Sequence, residues 1–277
     1  MSQKSILITG CSSGIGLATA RALKVRGWRV FAACRQVADC ERLIGAGFES
    51  PRIDYCDTDS IEAGLAEVLA VTGGILDALF NNGAHQMPAC VEDLPTDALR
   101  ATFEANFFGW HELTRRVVPV MRAQGHGRIL NCGSILGFST MRWRSAYAAT
   151  KYALEALTET LRLELRDTDI HVSLIEPGPI TTDLRKKSLP YFEKWIDWEG
   201  SAQQQRYEEG LLKRLYDTRG NKDPFEEPAS AVADQVIRAL EAKDPHLRYF
   251  VTRLTWIVRC LRRVLPDRAV EALTDRY

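Results

Sequence analysis

Residues 5–17 read Ser5-Ile6-Leu7-Ile8-Thr9-Gly10-Cys11-Ser12-Ser13-Gly14-Ile15-Gly16-Leu17. The short apolar run from Ser5 to Thr9 suits a strand buried on both faces of a parallel sheet. Three glycines follow at once, and then Ile15, Ala18, Ala22 and Leu23 recur at helical spacing. The pattern is strand, glycine-rich turn, helix. Gly10 permits the tight turn, Gly14 allows close backbone approach to a pyrophosphate, and Gly16 lets the helix pack on the strand. The helix N-terminus then faces the phosphates. Three glycines alone also fit an ordinary turn, but their place between a first strand and a first helix favours nucleotide binding.

The rest of the chain repeats this alternation. Strands are expected at residues 27–34, 52–55, 75–80, 128–132 and 171–175, with another at 246–252. Helices are expected after the third strand, marked by Ile61, Leu65, Val68 and Leu69, over residues 96–121 through Asn106, over 145–166, and over 228–242. The helix from Ser145 carries Leu154, Leu157, Leu161 and Leu165 on one stripe. Strand–helix alternation of this kind makes an α/β, Rossmann-like doubly wound parallel sheet, of about seven strands with helices on both faces. The whole chain, 1–277, is expected to form a single dinucleotide-binding domain. The regular pattern fails over residues 183–228, where charged, aromatic and glutamine-rich sequence follows a strand's carboxyl end. Ligands bind at that end in open α/β sheets, so this insertion reads as a substrate lid with short helices.

The 277 residues are 45% hydrophobic and 26% charged, enough apolar sequence for one large domain with a substantial core. The formal net charge is zero, so nothing in the composition points to nucleic acid. Cysteines at 11, 34, 40, 56, 90, 132 and 260 have no metal-ligand spacing and read as reduced thiols. No metal is expected. A strand beginning at Ser5 argues against a signal peptide, and no apolar run approaches the length of a membrane span. The protein is therefore expected in the cytoplasm. In residues 250–277, Phe250, Leu254, Ile257, Val258, Leu261 and Leu265 share one side of a helical wheel, opposite Arg259, Arg262 and Arg263. A helix packed on protein with its arginines solvated is favoured over one lying on an anionic membrane surface.

A second stretch carries chemistry. Tyr147 and Lys151 are four apart, on one face of the helix from Ser145, and Ser134 ends the strand before it. A hydroxyl, a phenol and an ammonium in one place suit proton transfer to a carbonyl or from an alcohol. The ammonium is expected to lower the tyrosine pKa toward neutrality, while the serine holds the substrate oxygen. An isolated Tyr-x-x-x-Lys pair is more often a surface tyrosine stacked on a lysine stem, and only the surrounding pattern reverses that.

In order and spacing, these motifs resemble the short-chain dehydrogenase/reductase family in its compact single-domain branch. The resemblance is strong over residues 4–182. It implies that Asn106, Ser134, Tyr147 and Lys151 are the catalytic set, with Asn106 holding a water that links Lys151 to solvent. It implies a cofactor site of Gly10, Ser12, Ser13, Gly14, Ile15, Gly16, Arg35, Asp54, Tyr55, Asn82, Gly83, Tyr147, Lys151, Pro177, Gly178, Ile180 and Thr182. Within that site Asp54 would lie near the adenine amine, and the segment from Pro177 to Thr182 at the nicotinamide carboxamide. The glycine loop and Ala33-Cys34-Arg35 resemble those of hydroxysteroid- and retinol-dehydrogenase-like reductases and their bacterial relatives, which act on carbonyls and alcohols of lipophilic molecules. Trp143, Trp195, Trp198, Phe138 and Met141 fit an apolar substrate pocket or the packing of the lid. A homodimer or homotetramer is also implied. One departure stands out: Asn81-Asn82-Gly83-Ala84 has its glycine one place earlier than the family's Asn-Asn-Ala-Gly, as if a position tolerating positive φ has moved.

Cofactor choice is read from the second strand's end. An acid there would bind the 2′-hydroxyl of NAD, but this strand ends Ala33-Cys34 and Arg35 follows. A guanidinium can hold the 2′-phosphate of NADP in a fork, with Ser12 adding a hydroxyl. Asp39 and Glu41 are the acids that would have to reach the ribose instead. Two other readings differ in class. A non-catalytic NADP-binding regulatory module would be expected to have lost one of the four catalytic groups. An epimerase or dehydratase of the extended branch would have Gly-x-x-Gly-x-x-Gly and a longer chain.

Overall fold

The computed structural model describes residues 3–217 and 223–274. Six parallel strands form the main sheet: β1 (Ser5–Ile8), β2 (Arg29–Ala32), β3 (Ala78–Asn81), β4 (Gly127–Cys132), β5 (Ile170–Glu176) and β8 (Arg248–Phe250), in the order β2-β1-β3-β4-β5-β8. Side chains alternate across the pleat and so feed two cores. Ile6, Ile8, Ala78 and Phe80 pack with Ala20 and Leu23 of α1 (Gly14–Val25), Leu43 of α2 (Val37–Gly45) and Val232, Val236 and Leu240 of α10 (Ala229–Glu241). Leu7, Leu79, Ile129 and Val172 face the other way. They meet Ile61, Leu65 and Val68 of α3 (Thr58–Thr72), and Leu113, Val117 and Met121 of α5 (Gly109–Gln124). The helix α6 (Ser145–Glu164) buries Leu154 against the sheet, and Leu165 is buried just past its end. The chain leaves β1 in one direction to β2 and in the other to β3, so the crevice between β1 and β3 is the switch point where such sheets bind ligands.

Two expected elements take a different form. Residues 52–55 do not make a strand. The segment runs beside β2 in parallel register through isolated bridges at Glu49 and Arg52, but the ladder is broken between them. Pro51 has no N–H to donate to Ala32 O, and Ser50 Oγ donates there instead at 2.7 Å. The main sheet thus has six strands rather than about seven. The helix expected over 96–121 is split into α4 (Thr96–Phe103) and α5 by a π-helical turn, Glu104–Phe108, whose wider winding includes Asn106.

The insertion is folded. A two-residue parallel pair, β6 (Ile180–Thr181) with β7 (Glu227–Pro228), ties its ends together. Between them lie α7 (Leu184–Trp195), α8 (Gln204–Arg206), a π turn (Tyr207–Leu211) and α9 (Leu212–Leu215). Phe192, Ile196, Tyr207, Leu211 and Leu215 form their own small core, against which Trp143, Trp195 and Trp198 pack. Those three tryptophans therefore pack on the core of the insertion. Trp143 adopts a left-handed φ of 59°, rare for a bulky residue, and a Cβ on Gly210 would come within 2.6 Å of its ring.

Beyond β8 come α11 (Arg253–Val264) and α12 (Asp267–Thr274). Phe250 belongs to β8 rather than to the helical stripe and meets Phe138 edge to face. Arg259 is not on the solvated side, since its guanidinium lies 5.2 Å over the Phe138 ring. Trp256, Ile257 and Val264 remain exposed. Among the described residues no helix is long and apolar enough to cross a membrane. All seven cysteines are free thiols.

Candidate active site

β4 delivers Ser134 and α6 delivers Tyr147 and Lys151. Ser134 Oγ accepts from Leu136 N–H at 3.1 Å, and its side chain is hydrogen-bonded to Tyr147. Lys151 is 1% exposed and donates from Nζ to Cys132 O, at the end of β4, at 2.7 Å. Its ammonium sits over the Trp110 ring at 4.2 Å and 5.4 Å from the centre of the Tyr147 ring. The three groups that sequence spacing placed together are together.

Their electrostatics differ from the expectation. Burial pushes the Tyr147 phenol well above its ordinary range, and the Cys132 thiol pushes it further in the same direction. The Ser134 hydrogen bond and the Arg144 charge oppose them. Burial also brings Lys151 down to about 8, against the pull of Cys132 and Glu155. Desolvation outweighs ion pairing on both groups, so the protein alone holds a neutral phenol beside a lysine that is still mostly charged at neutral pH.

Asn106 is fully buried, and both ends of its amide are committed to one backbone position. Nδ2 donates to His85 O at 2.8 Å and Oδ1 accepts from His85 N–H at 3.0 Å. The π turn thereby fastens the loop after β3.

The cofactor candidates line the β1/β3 crevice. Gly10 and Gly14 take left-handed φ values of 67° and 57°. A Cβ at Gly10 would lie 2.6 Å from Gly83 Cα, and one at Gly14 would press on Thr182 Cγ2 at 3.2 Å. Gly16 faces Gly10 O, which a Cβ would approach to 2.6 Å, so its smallness serves the loop rather than the strand. No left-handed residue occurs over 81–84, so the glycine shift there is not a displaced φ > 0 position. A Cβ at Gly83 would come only to 3.3 Å from Gly10 N, so the close approach of the two loops depends chiefly on Gly10. Thr9 Oγ1 receives Asn82 N–H and Gly83 N–H, and Asn82 Nδ2 donates to Thr9 O at 3.0 Å. Tyr55 points its hydroxyl into this network, 2.6 Å from Thr9 Oγ1 and 2.8 Å from Asn81 Oδ1, while Asp54 closes a turn onto Cys56 N–H. Ile15 and Ile180 both pack against the core. Pro177 O accepts from Ile135 N–H, and Gly178 fits beneath Thr252, whose Oγ1 a Cβ would approach to 2.2 Å.

Several site residues had no sequence signal. His85 is buried with Nε2 unpartnered, and burial together with the Arg35 charge holds it neutral, down to about 4. Arg144 is brought down to about 10 by burial and by Arg214 and Arg185, and reaches Gln86 at 2.6 Å. Arg42 donates to Ser12 O and to Asp39, both at 2.8 Å. Of the five proposed pocket residues only Met141 packs beside Tyr147. Phe138 lies instead under the C-terminal segment.

A sequence model described as short chain dehydrogenase matches residues 4–191. The chain belongs to the short chain dehydrogenase family. It is 40% identical over 273 residues to the uncharacterized oxidoreductase YbbO of Escherichia coli, covering 98% of this chain and 94% of that one. It is 33% identical to human 17-beta-hydroxysteroid dehydrogenase type 1, over 91% of this chain and 78% of that one. A short-chain dehydrogenase structure from Streptomyces avermitilis superposes with a TM-score of 0.78 at 28% identity, over 99% of both chains. A polyketide ketoreductase solved with NADPH has a TM-score of 0.71 at 26% identity, covering 90% of this chain and 95% of that one. Related folds have also been solved with NAD, so family membership makes the chain an oxidoreductase without choosing between the two cofactors.

Proposed function

We propose that this short-chain dehydrogenase transfers hydride between NADP(H) and a carbonyl or alcohol of a small lipophilic molecule, an aldehyde, ketone, steroid or retinoid. The observation that carries the reading is the convergence of Ser134, Tyr147 and buried Lys151 beside the glycine-lined crevice. The crevice suits a dinucleotide. Ser13, at the N-cap of α1, makes no side-chain cap bond, which leaves the first N–H groups of that helix for phosphate. His85 Nε2 is a buried polar atom in want of a partner.

Gly10, Ser12, Ser13, Gly14, Ile15 and Gly16 would cradle the phosphates. Asp54, Tyr55, Asn82 and Gly83 would border the adenosine, and Pro177, Gly178, Ile180 and Thr182 the carboxamide. The bound cofactor supplies the hydride chemistry. In reduction, Ser134 holds the substrate oxygen and Tyr147 donates its proton to the developing alkoxide. A neutral phenol, as the buried site maintains, is the form that can donate. Lys151 supplies positive charge behind the phenol, and Asn106 positions the loop at His85.

NADP is favoured over NAD by the charges around Ser12. Arg35 follows β2 with Asp54 near it, Arg42 is in contact with the loop, and Asp39 is already paired with Arg42. The competing reading is a non-catalytic NADP-binding regulator. An NADPH-oxidation screen over aldehydes, ketosteroids, retinal and quinones separates the two. On an accepted substrate Tyr147→Phe should keep NADPH binding and lose about a hundredfold or more in turnover. Near-normal turnover in that variant would remove Tyr147 from the chemistry, and no turnover on any class would favour the regulator.

A further inference from the structure

The helix α7 lies in the insertion, yet its side chains reach back onto the cofactor crevice. Lys187 Nζ donates to Ser13 Oγ at 2.6 Å and to Ser12 Oγ at 3.2 Å. One turn later, Tyr191 accepts from Arg35 Nη1 at 2.9 Å. The Tyr191 ring also stacks on His85, with centroids 4.2 Å apart and planes within 8°. An i, i+4 pair on one helix face therefore spans from the glycine loop to the arginine at the end of β2.

We propose that α7 is a clamp on the cofactor, in which Lys187 is a ligand of its phosphate groups and Tyr191 seats the helix on Arg35 and His85. The inference rests on the crevice being the NADP(H) site. Four features carry it. Among the described residues the Lys187 ammonium hydrogen-bonds only hydroxyls at the loop, and hydroxyls also hydrogen-bond phosphate oxygens, so the three donors of Nζ are positioned at an anion site with no carboxylate of the described residues paired to them. Ser13 is turned to Lys187 rather than to its own helix, leaving the N–H groups at the start of α1 directed at the same place. Tyr191 engages one nitrogen of Arg35, which orients the fork while its other donors stay available for a phosphate. Lastly, His85 Nε2, buried and without a partner among the described residues, lies in the ring that Tyr191 covers, so α7 roofs a polar atom that a ribose hydroxyl could satisfy.

The phosphate that Lys187 meets is the pyrophosphate or the 2′-phosphate, and a binding experiment tells them apart. NADPH and NADH affinities are measured by fluorescence titration on the full chain for wild type, Lys187→Gln, Lys187→Arg and Lys186→Gln. Lys186 is an exposed neighbour carrying the same charge, and Lys187 is exposed, so all variants are expected to fold. Lys187→Gln should weaken NADPH about tenfold, the scale of one charge-assisted bond. Lys187→Arg should recover most of that, and Lys186→Gln should change little. Loss for NADPH alone assigns the 2′-phosphate, and equal loss for both dinucleotides assigns the pyrophosphate. Tyr191→Ala should also weaken binding, and its combination with Lys187→Gln should cost less than the sum, because one helix carries both contacts. Unchanged affinity in Lys187→Gln, or an equal loss in Lys186→Gln, overturns the clamp. Strictly additive losses remove Tyr191 from it. A wild-type protein that binds neither dinucleotide overturns the cofactor-site reading and the clamp with it. By contrast, a wild type that binds NADPH while Lys187→Gln is silent refutes the clamp alone.

Discussion

Replacing Asn106 by Ala tests whether the π turn is a fastening for the active-site loop. The substitution removes the two hydrogen bonds to His85, 2.8 and 3.0 Å long, and a longer one of 3.5 Å to Thr150 Oγ1 from a fully buried side chain, and orphans both His85 N–H and His85 C=O. Each buried group left unpaired costs about 1–3 kcal/mol, so roughly 3–4 kcal/mol of stability should be lost, a large share of the stability of a typical domain. With an unfolding entropy near 2 cal/mol/K per residue, 277 residues convert that loss to a fall in Tm of about 6 °C. Asn106→Asp keeps the acceptor for His85 N–H but sets an oxygen against His85 O, and should be at least as destabilising. Urea denaturation at matched protein concentration measures the loss, and NADPH oxidation reports the site. Freed from Asn106, the His85 loop should also lose its hold on Tyr191 and with it cofactor affinity. A loss below about 1 kcal/mol for Asn106→Ala would show that water replaces the amide at no great cost, and would refute the fastening argument.

Arg35→Ala should raise the Michaelis constant for NADPH at least tenfold more than that for NADH, about the value of one guanidinium–phosphate pair. An equal effect on both cofactors would take the discrimination away from Arg35. Glu176, fully buried beside Glu155 and Arg248 with Arg259 nearby, has its carboxyl pushed far above the ordinary range near 4.5, to about 9, by burial first and by Glu155 second. Its proton is held in the folded state and released in the unfolded one. Stability from this group is therefore full at acid pH and lost as pH rises from about 4.5 through about 9. Glu176→Gln should flatten the fall in stability between pH 5 and pH 9, and an unchanged slope would assign the proton elsewhere. Leu154 and Leu165 are spent on the sheet, but Phe108, Tyr152 and Leu163 stay exposed around the π turn and α6. Light scattering should show a dimer or tetramer that Leu163→Arg weakens; a wild-type monomer at micromolar concentration would refute a partner on this face.

Local pattern carried the fold and the chemistry because both rest on short-range rules. Residues 5–17 declare strand, turn and helix through apolar runs and glycine spacing, and the four-residue interval puts Tyr147 above Lys151 on any α-helix. Pairing and burial depend on what lies opposite and were not legible. Pro51 breaks an edge strand only because Ala32 O is the acceptor that its missing N–H would have met. Asn106 winds a π turn because His85, twenty-one residues earlier, presents both a donor and an acceptor to it. The direction of the Tyr147 shift follows from how dry the site is, a property of the packed domain rather than of the neighbouring lysine. Lys187 reaches Ser12 across 175 positions of chain, and no periodicity in a charged insertion announces which helix face will return to the glycine loop. Sequence patterns act over one or two turns, whereas the crevice is assembled from segments that meet only once the sheet has closed its order.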